Sequence, residues 1–239
     1  MIDTHAHLDA LGEDPAEVVA RARAAGVSRI LTVGTAQAVD LADRFDDVYA
    51  VVGVHPHEAA TGDVDEIRRL QGHRKVVAVG EIGLDWYRDY APPEAQRYMF
   101  ESQLGLAAEL GKPVVIHTRA ADDDTLAALS GFEGTVVLHC FSSPHLLPAA
   151  LEHGWYVSFA GNVTYKNAPE LRIAAKQVPA DRILAETDCP YLAPQPVRGK
   201  RNEPAFVMHT VAALALARGE DAGELGEQVD RNATACFGL

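Results

Sequence analysis

The chain has 239 residues, 48% of them hydrophobic, and a formal net charge of −13. These values are typical of one soluble globular domain, and no apolar run approaches the roughly 18–20 residues that a membrane helix needs. The acidic balance disfavours a protein that covers nucleic acid with a broad basic face. The first residues do not have the pattern of a signal peptide, and the three scattered cysteines suit a reducing compartment. We therefore expect a cytoplasmic protein.

Short runs of β-branched and other apolar residues alternate with helical stretches along the chain. They predict eight strands, at residues 2–7, 29–33, 48–54, 76–82, 114–118, 135–139, 156–159 and 183–188. Strands this short and this apolar are typical of a parallel sheet whose outer face is covered by helices.

Helices are predicted between these strands, and several of their ends can be identified. Asp14 and Pro15 begin the first helix, a long amphipathic run at 94–110 ends at Gly111, and Pro144 and Pro169 begin later helices. Eight strands that alternate with helices predict the α/β class and a single-domain (β/α)₈ TIM-type barrel over residues 1–239. An open doubly wound sheet is the alternative, but no Gly-x-Gly-x-x-Gly turn follows the first strand.

Side chains that bind metal ions collect at the ends of six predicted strands. The strands end in THAH, GVHPH, VGEIG, VIHTR, VLHCF and AETDCP. In a barrel these ends converge on one mouth, where active sites lie. A single buried histidine is more often a hydrogen-bonded core residue, but six such positions at matching strand ends favour a metal site. The predicted ligands are His5, His7, Glu81, His117, His139 and Asp188.

This ligand set is too large for one four-coordinate zinc ion, and it suits two divalent cations with Glu81 as the bridge between them. The identity of the ions is left open among Zn, Mg, Mn, Ni and Co. Asp188 is predicted to be both a ligand and the general base for the attacking water. His55 completes the predicted catalytic group, because at the end of GVHP it could bind a substrate oxyanion; the alternative is a bond to loop backbone.

Other residues are candidates for contacts with substrate. Trp86 and Tyr87 follow the fourth strand and could stack on a base or simply cover the mouth. Arg198 and Arg201 lie in the basic loop VRGKRNEP and could hold flanking phosphates; the alternative is a solvated surface loop. Glu186 is expected to support the ligands. The remaining histidines, His57 among them, are assigned to loops or helices without a role in the site.

The chain also resembles the TatD family of metal-dependent hydrolases. The matching segments are IDTHAHLD, GVHPH, AVGEIGLDWYRD, GKPVVIHTR, VLHCFSS, ILAETDCPYLAP and RGKRNEP, in family order. The resemblance implies a (β/α)₈ barrel, a pocket for two divalent cations and hydrolysis of phosphodiester bonds in DNA, as in a TatD-type deoxyribonuclease and exonuclease. It assigns the six ligands named above and His55 as a polar group beside the phosphate.

Two rival functions stay open from the sequence. One is an amidohydrolase-type hydrolase of C–N or ester bonds in a small molecule; many such enzymes bridge their metals with a carboxylated lysine where this chain has Glu81. The other is a non-catalytic, metal-stabilised binding protein. The predicted partner is DNA or another phosphodiester substrate, not a membrane. A monomer is compatible with the sequence, which leaves the oligomeric state open.

Overall fold

A computed structural model describes residues Met1–Leu239. Its eight strands form one parallel sheet in the order β1 to β8. The strands are β1 Ile2–Ala6, β2 Arg29–Gly34, β3 Val48–Val52, β4 Val76–Asp85, β5 Val114–Arg119, β6 Val136–Leu138, β7 Tyr156–Phe159 and β8 Ile183–Ala185. Each strand position predicted from the sequence corresponds to one of these strands.

Nine α-helices surround the sheet. They are α1 Pro15–Ala24, α2 Ala36–Arg44, α3 Val64–Leu70, α4 Pro93–Leu110, α5 Asp122–Leu129, α6 Leu147–Glu152, α7 Pro169–Gln177, α8 Val207–Arg218 and α9 Ala222–Phe237. Asp14 caps α1 by accepting a hydrogen bond from Ala16, and Gly111 ends α4 in the left-handed conformation. Two helices follow β8, where the sequence predicts one. No helix combines the length and apolar composition that a membrane crossing requires.

The barrel closes between β1 and β8, and this seam is made by backbone beyond the regular ladder. The amide of Asp188 donates to the carbonyl of His5 at 2.9 Å, and the amide of His7 donates to the carbonyl of Cys189 at 2.8 Å. Ala6 and Cys189 form an isolated parallel bridge at the same place. The expected (β/α)₈ TIM-type barrel is therefore confirmed.

Most strand ends shift by one or two residues from the predicted positions, and two strands, β4 and β8, end three residues away. The strand predicted at 183–188 stops at Ala185, and Asp188 has a left-handed backbone with φ of 54°. The strand predicted at 76–82 continues to Asp85, because Gly83, Leu84 and Asp85 pair with β5. Both changes fall at the mouth of the barrel and affect where carboxylates point.

Candidate metal centre

Glu81 lies at the centre of the mouth, with its side chain only 5% exposed. Its two oxygens face different groups of histidines. Oε2 is 3.3 Å from Nε2 of His5 and 3.7 Å from Nε2 of His7. Oε1 faces the other three histidines, at 2.8 Å from Nδ1 of His117, 2.9 Å from Nε2 of His139 and 3.4 Å from Nε2 of His55. One carboxylate thus joins two sets of nitrogen donors.

Asp188 stands on the His5–His7 side of this arrangement. Its Oδ1 is 3.5 Å from Nε2 of His7 and 4.0 Å from Nε2 of His5, and its side chain is 13% exposed. The donor atoms of His5, His139 and Asp188 all lie within 4.8 Å of one another. The structure therefore brings the six predicted ligands and His55 into a single cluster.

A third carboxylate, Glu186, contacts the cluster through His139. Its Oε1 is 3.0 Å from Nδ1 of His139 and accepts the amide of Cys140 at 2.9 Å. A carboxylate on one ring nitrogen fixes the orientation of the imidazole and directs the other nitrogen to the site. Here that second nitrogen, Nε2 of His139, faces Glu81. The expectation that Glu186 supports a ligand agrees with these contacts.

Sequence reasoning missed the pairing of His57 with Asp85. Nε2 of His57 is 2.8 Å from Oδ2 of Asp85, and the same oxygen is 3.2 Å from Nε2 of His117. The ring of His57 lies 4.3 Å from that of His55. His57 is thus in contact with the site and is not simply a loop residue. The signal available in the sequence was its spacing two residues after His55 in GVHPH.

The charges in the cluster are mutually stabilised. Burial by itself would raise the pKa of Glu81, but the surrounding histidines, above all His139, hold that pKa well below its usual range. Burial would lower the pKa of His139, but Glu81 and Glu186 together keep it well above its usual value. Burial also acts to raise the pKa of Asp188, and the hydrogen bond from His7 leads the effects that lower it. The ionised forms of Glu81 and Asp188 are thereby favoured.

The ring nitrogens of His5 provide a further reason why these residues fit divalent cations. Both ring nitrogens of His5 are buried and have no hydrogen-bond partner, although Nε2 is 3.3 Å from Glu81. An unpaired polar atom in a protein interior is costly, and native structures rarely keep one without a reason. Burial lowers the pKa of His5 and so favours the neutral imidazole, which is the form that binds metals. A cation bound by Nε2 would satisfy the nitrogen that faces Glu81.

Close backbone packing places His117 beside Glu81. Gly83 has a φ of 146°, and a Cβ atom added to it would lie 1.9 Å from the carbonyl oxygen of His117. β4 and β5 can therefore approach at this point only because residue 83 is glycine. Left-handed backbone at Cys140, directly after His139, and at Asp188 also orients the site. Such conformations cost about 1–3 kcal/mol each and are often found at functional sites.

The predicted substrate contacts occupy different surroundings. The indole of Trp86 donates to Asp124 at 2.8 Å and packs against Arg97, so its ring is partly covered. Tyr87 is 62% exposed, with the guanidinium of Arg119 at 3.9 Å from its ring centroid.

The two arginines of the basic loop also differ. The guanidinium of Arg198 lies 4.0 Å from the ring centroid of Tyr165. Arg201 donates to the carbonyl of Ala10 at 2.8 Å and so holds the loop after β1. Arg201 therefore has a backbone partner. Arg198 stacks on Tyr165, and Tyr87 stacks with Arg119.

Comparison with known proteins identifies the family that the chain resembles. The family model described as TatD related DNase matches residues 2–238. A metal-dependent hydrolase named TatD from Mycobacterium tuberculosis is 41% identical over 100% of this chain and 98% of its own length. A protein of Erwinia tasmaniensis named 3'-5' ssDNA/RNA exonuclease TatD is 40% identical over 95% of each chain.

A solved structure is similar along the whole chain. The TatD homolog YJJV from Escherichia coli superimposes with a TM-score of 0.93 at 30% identity, covering 100% of this chain and 98% of its own. The family model and these relatives span the barrel from its first strand to its last helix. The chain therefore belongs to the TatD family of metal-dependent hydrolases.

Proposed function

We propose that this protein is a phosphodiesterase that uses two divalent cations to hydrolyse single-stranded DNA or RNA, as an exonuclease. The observation that carries the proposal is the position of Glu81 between two sets of donors, one on each carboxylate oxygen. A carboxylate shared in this way is the bridge that a binuclear site needs. A relative with 40% identity is named as a 3'-5' ssDNA/RNA exonuclease, which supports the choice of substrate and of cleavage from an end.

The proposed ligands fall into two groups. His5, His7 and Asp188 would hold one cation and His117 the other, with Glu81 shared. His139 lies between the two groups, because its Nε2 is 2.9 Å from Oε1 of Glu81 and its donor atoms also lie among those of His5 and Asp188. His55, at 3.4 Å from Glu81, would contact the phosphate on the second side. Divalent cations in such a site act as Lewis acids that polarise a phosphoryl oxygen and acidify water.

Asp188 is the residue proposed to accept the proton of the attacking water. Its lowered pKa favours the ionised carboxylate, and 13% of its side-chain surface is exposed to solvent. Asp188 lies beyond the end of β8 and has a left-handed backbone, with φ of 54°. Glu186 holds the ring of His139 in place, so that the geometry around Glu81 is set before substrate binds.

Hydrolysis of defined substrates by metal-reconstituted protein tests the proposal. End-labelled single-stranded DNA and RNA, a small activated phosphodiester, a cyclic amide and an activated carboxylic ester would be compared, with Asp188→Asn as the control. We expect stepwise shortening of the two oligonucleotides and loss of that activity in the variant. Preferential turnover of the amide or ester would favour the amidohydrolase alternative. Stoichiometric metal without any turnover would favour a binding protein.

A further inference from the structure

A groove of about 770 Å³ lies outside the barrel, between helices α7 and α8. Its upper end is formed by Tyr165 and Gln195. These residues follow β7 and β8, so the groove begins at the carboxyl ends of the strands, where the metal centre also lies. Tyr165 carries the stacked guanidinium of Arg198, which connects the groove to the basic loop after β8.

The groove is positively charged in a strongly acidic protein. Lys166, Arg172 and Lys176 line it, and none of its 15 lining residues is Asp or Glu. None of these three cations forms an ion pair, so no neighbouring carboxylate offsets the charge of the groove. Arg172 donates to two backbone carbonyls at the mouth end, and both lysines are exposed. The groove is therefore complementary to a polyanion.

The floor of the same groove is apolar and open to solvent. Ile173 of α7 is 58% exposed and Leu216 of α8 is 84% exposed, and both line it. The lining face of α7 runs from Pro169 to Lys176, a rise of about 10 Å at the usual 1.5 Å per residue. That length accommodates about three nucleotides at the 3.4 Å spacing of a stacked strand. Exposed apolar surface flanked by cations suits the bases and phosphates of an unpaired strand.

We propose that the groove between α7 and α8 binds the part of a single-stranded polynucleotide that extends beyond the phosphodiester being cleaved. The inference rests on the proposed function and adds to it a second contact region outside the mouth. Lys166 and Lys176 contact phosphates, and Ile173 and Leu216 contact bases. Contacts of this kind act equally in the ground state and the transition state, so they contribute to KM rather than to kcat.

The double variant Lys166→Glu/Lys176→Glu tests the proposal. Fluorescence anisotropy with a labelled decamer would be measured in EDTA, where no turnover occurs, and KM would be measured on the decamer and on a dinucleotide. We expect at least about tenfold weaker decamer binding and a log–log salt slope smaller by about 1.4, which is two phosphate contacts at 0.7 each. The rise in KM should be at least about tenfold larger for the decamer than for the dinucleotide.

Two further variants make the result specific. Arg74→Glu/Arg231→Glu makes the same change in net charge at exposed sites away from the groove, and it should bind the decamer like the wild type. Leu216→Asp places a carboxylate in the groove without altering either lysine, and it should weaken decamer binding. DNA and RNA decamers should be affected alike, because lysine–phosphate contacts do not involve the 2′-hydroxyl.

The outcomes separate the groove from the metal centre. Equal decamer binding by the groove variants and the Arg74/Arg231 control would overturn the inference and leave the proposed function intact. A wild-type protein that cleaves neither substrate would overturn the proposed function, and the anisotropy series would still decide whether the groove binds a strand. Decamer binding that is insensitive to the groove variants, together with capture of an acidic peptide, would assign the groove to a protein partner and refute the proposal.

Discussion

Replacement of Gly83 by alanine should displace His117, a proposed metal ligand, without changing any side chain of the site. The added Cβ atom would lie 1.9 Å from the carbonyl oxygen of His117, whereas real Cβ contacts are essentially never below 3.0 Å. The backbone of β5 must therefore retreat by about 1 Å from β4 at this point. Because His117 is 2.8 Å from Glu81, a movement of that size breaks their contact.

Both stability and activity should fall. Overpacking costs about 1–3 kcal/mol, and a non-glycine residue at a φ of 146° costs a similar amount, so we expect about 2–6 kcal/mol of destabilisation. For a domain of this size that corresponds to a fall in Tm of about 4–24 °C. A misplacement of about 1 Å at a catalytic group lowers turnover by about 10²-fold.

The assay combines thermal unfolding of the metal-free protein, metal content after reconstitution and kcat on single-stranded DNA. Gly105→Ala is the matched control, because Gly105 lies in the exposed face of α4 and an added Cβ would meet nothing within 4 Å. The control should gain up to about 1 kcal/mol. A Gly83→Ala protein with the Tm and kcat of the wild type would refute the claim that close packing of β4 on β5 sets the position of His117.

Three further results are expected from the carboxylates of the site. Asp188→Asn should lower kcat by at least about 10²-fold with little change in unfolding by urea, and near-normal turnover would exclude Asp188 as the proton acceptor. Glu81→Gln should reduce the metal content of reconstituted protein from two ions per chain, and an unchanged content would contradict the bridging role. Metal-free protein should lose stability as the pH falls below about 4. The reason is that the pKa values of Asp85, Asp188 and Glu81 are lowered by folding, so that the unfolded chain takes up protons first. Asp85→Asn should flatten this pH dependence in urea titrations at about pH 6 and about pH 3, and an unchanged slope would show that the contacts of Asp85 with His117 and His57 do not contribute.

The barrel and the clustering of the proposed ligands were predictable because both depend on local patterns. Apolar β-branched runs mark the strands, and a parallel barrel brings all the carboxyl ends of its strands to one mouth. Glu81 and His139 could therefore be placed in one site although 58 positions separate them in the numbering. The predicted and observed positions of these two residues agree because the topology of the barrel, rather than any individual contact, brings them together.

The contacts of Asp85, His57 and Trp86 were less accessible to sequence reasoning. The strand predicted at 76–82 stops short of Asp85, because the glycine at position 83 reads as the beginning of a loop. In the folded barrel the same glycine permits close pairing with β5, and the strand continues until Asp85 reaches His57. The indole of Trp86 donates a hydrogen bond to Asp124 of α5, a residue 38 positions away in the chain. Such contacts depend on side-chain packing between different elements, and the hydrophobic periodicity of a sequence does not predict that packing.

The seam between β1 and β8 has a consequence for when the protein becomes functional during its synthesis. His5 and Asp188 are adjacent at the seam, yet 183 positions separate them in the chain. Closing a loop of that length is slow compared with forming neighbouring β–α units, and domains generally begin to fold from the amino terminus as the ribosome extends them. The nascent chain can assemble most of its strands before Asp188, which follows β8, is available to contact His5 and His7. Assembly of the complete site must therefore await release of residue 188 from the ribosome, which makes capture of the His7–Asp188 pair a late event in folding.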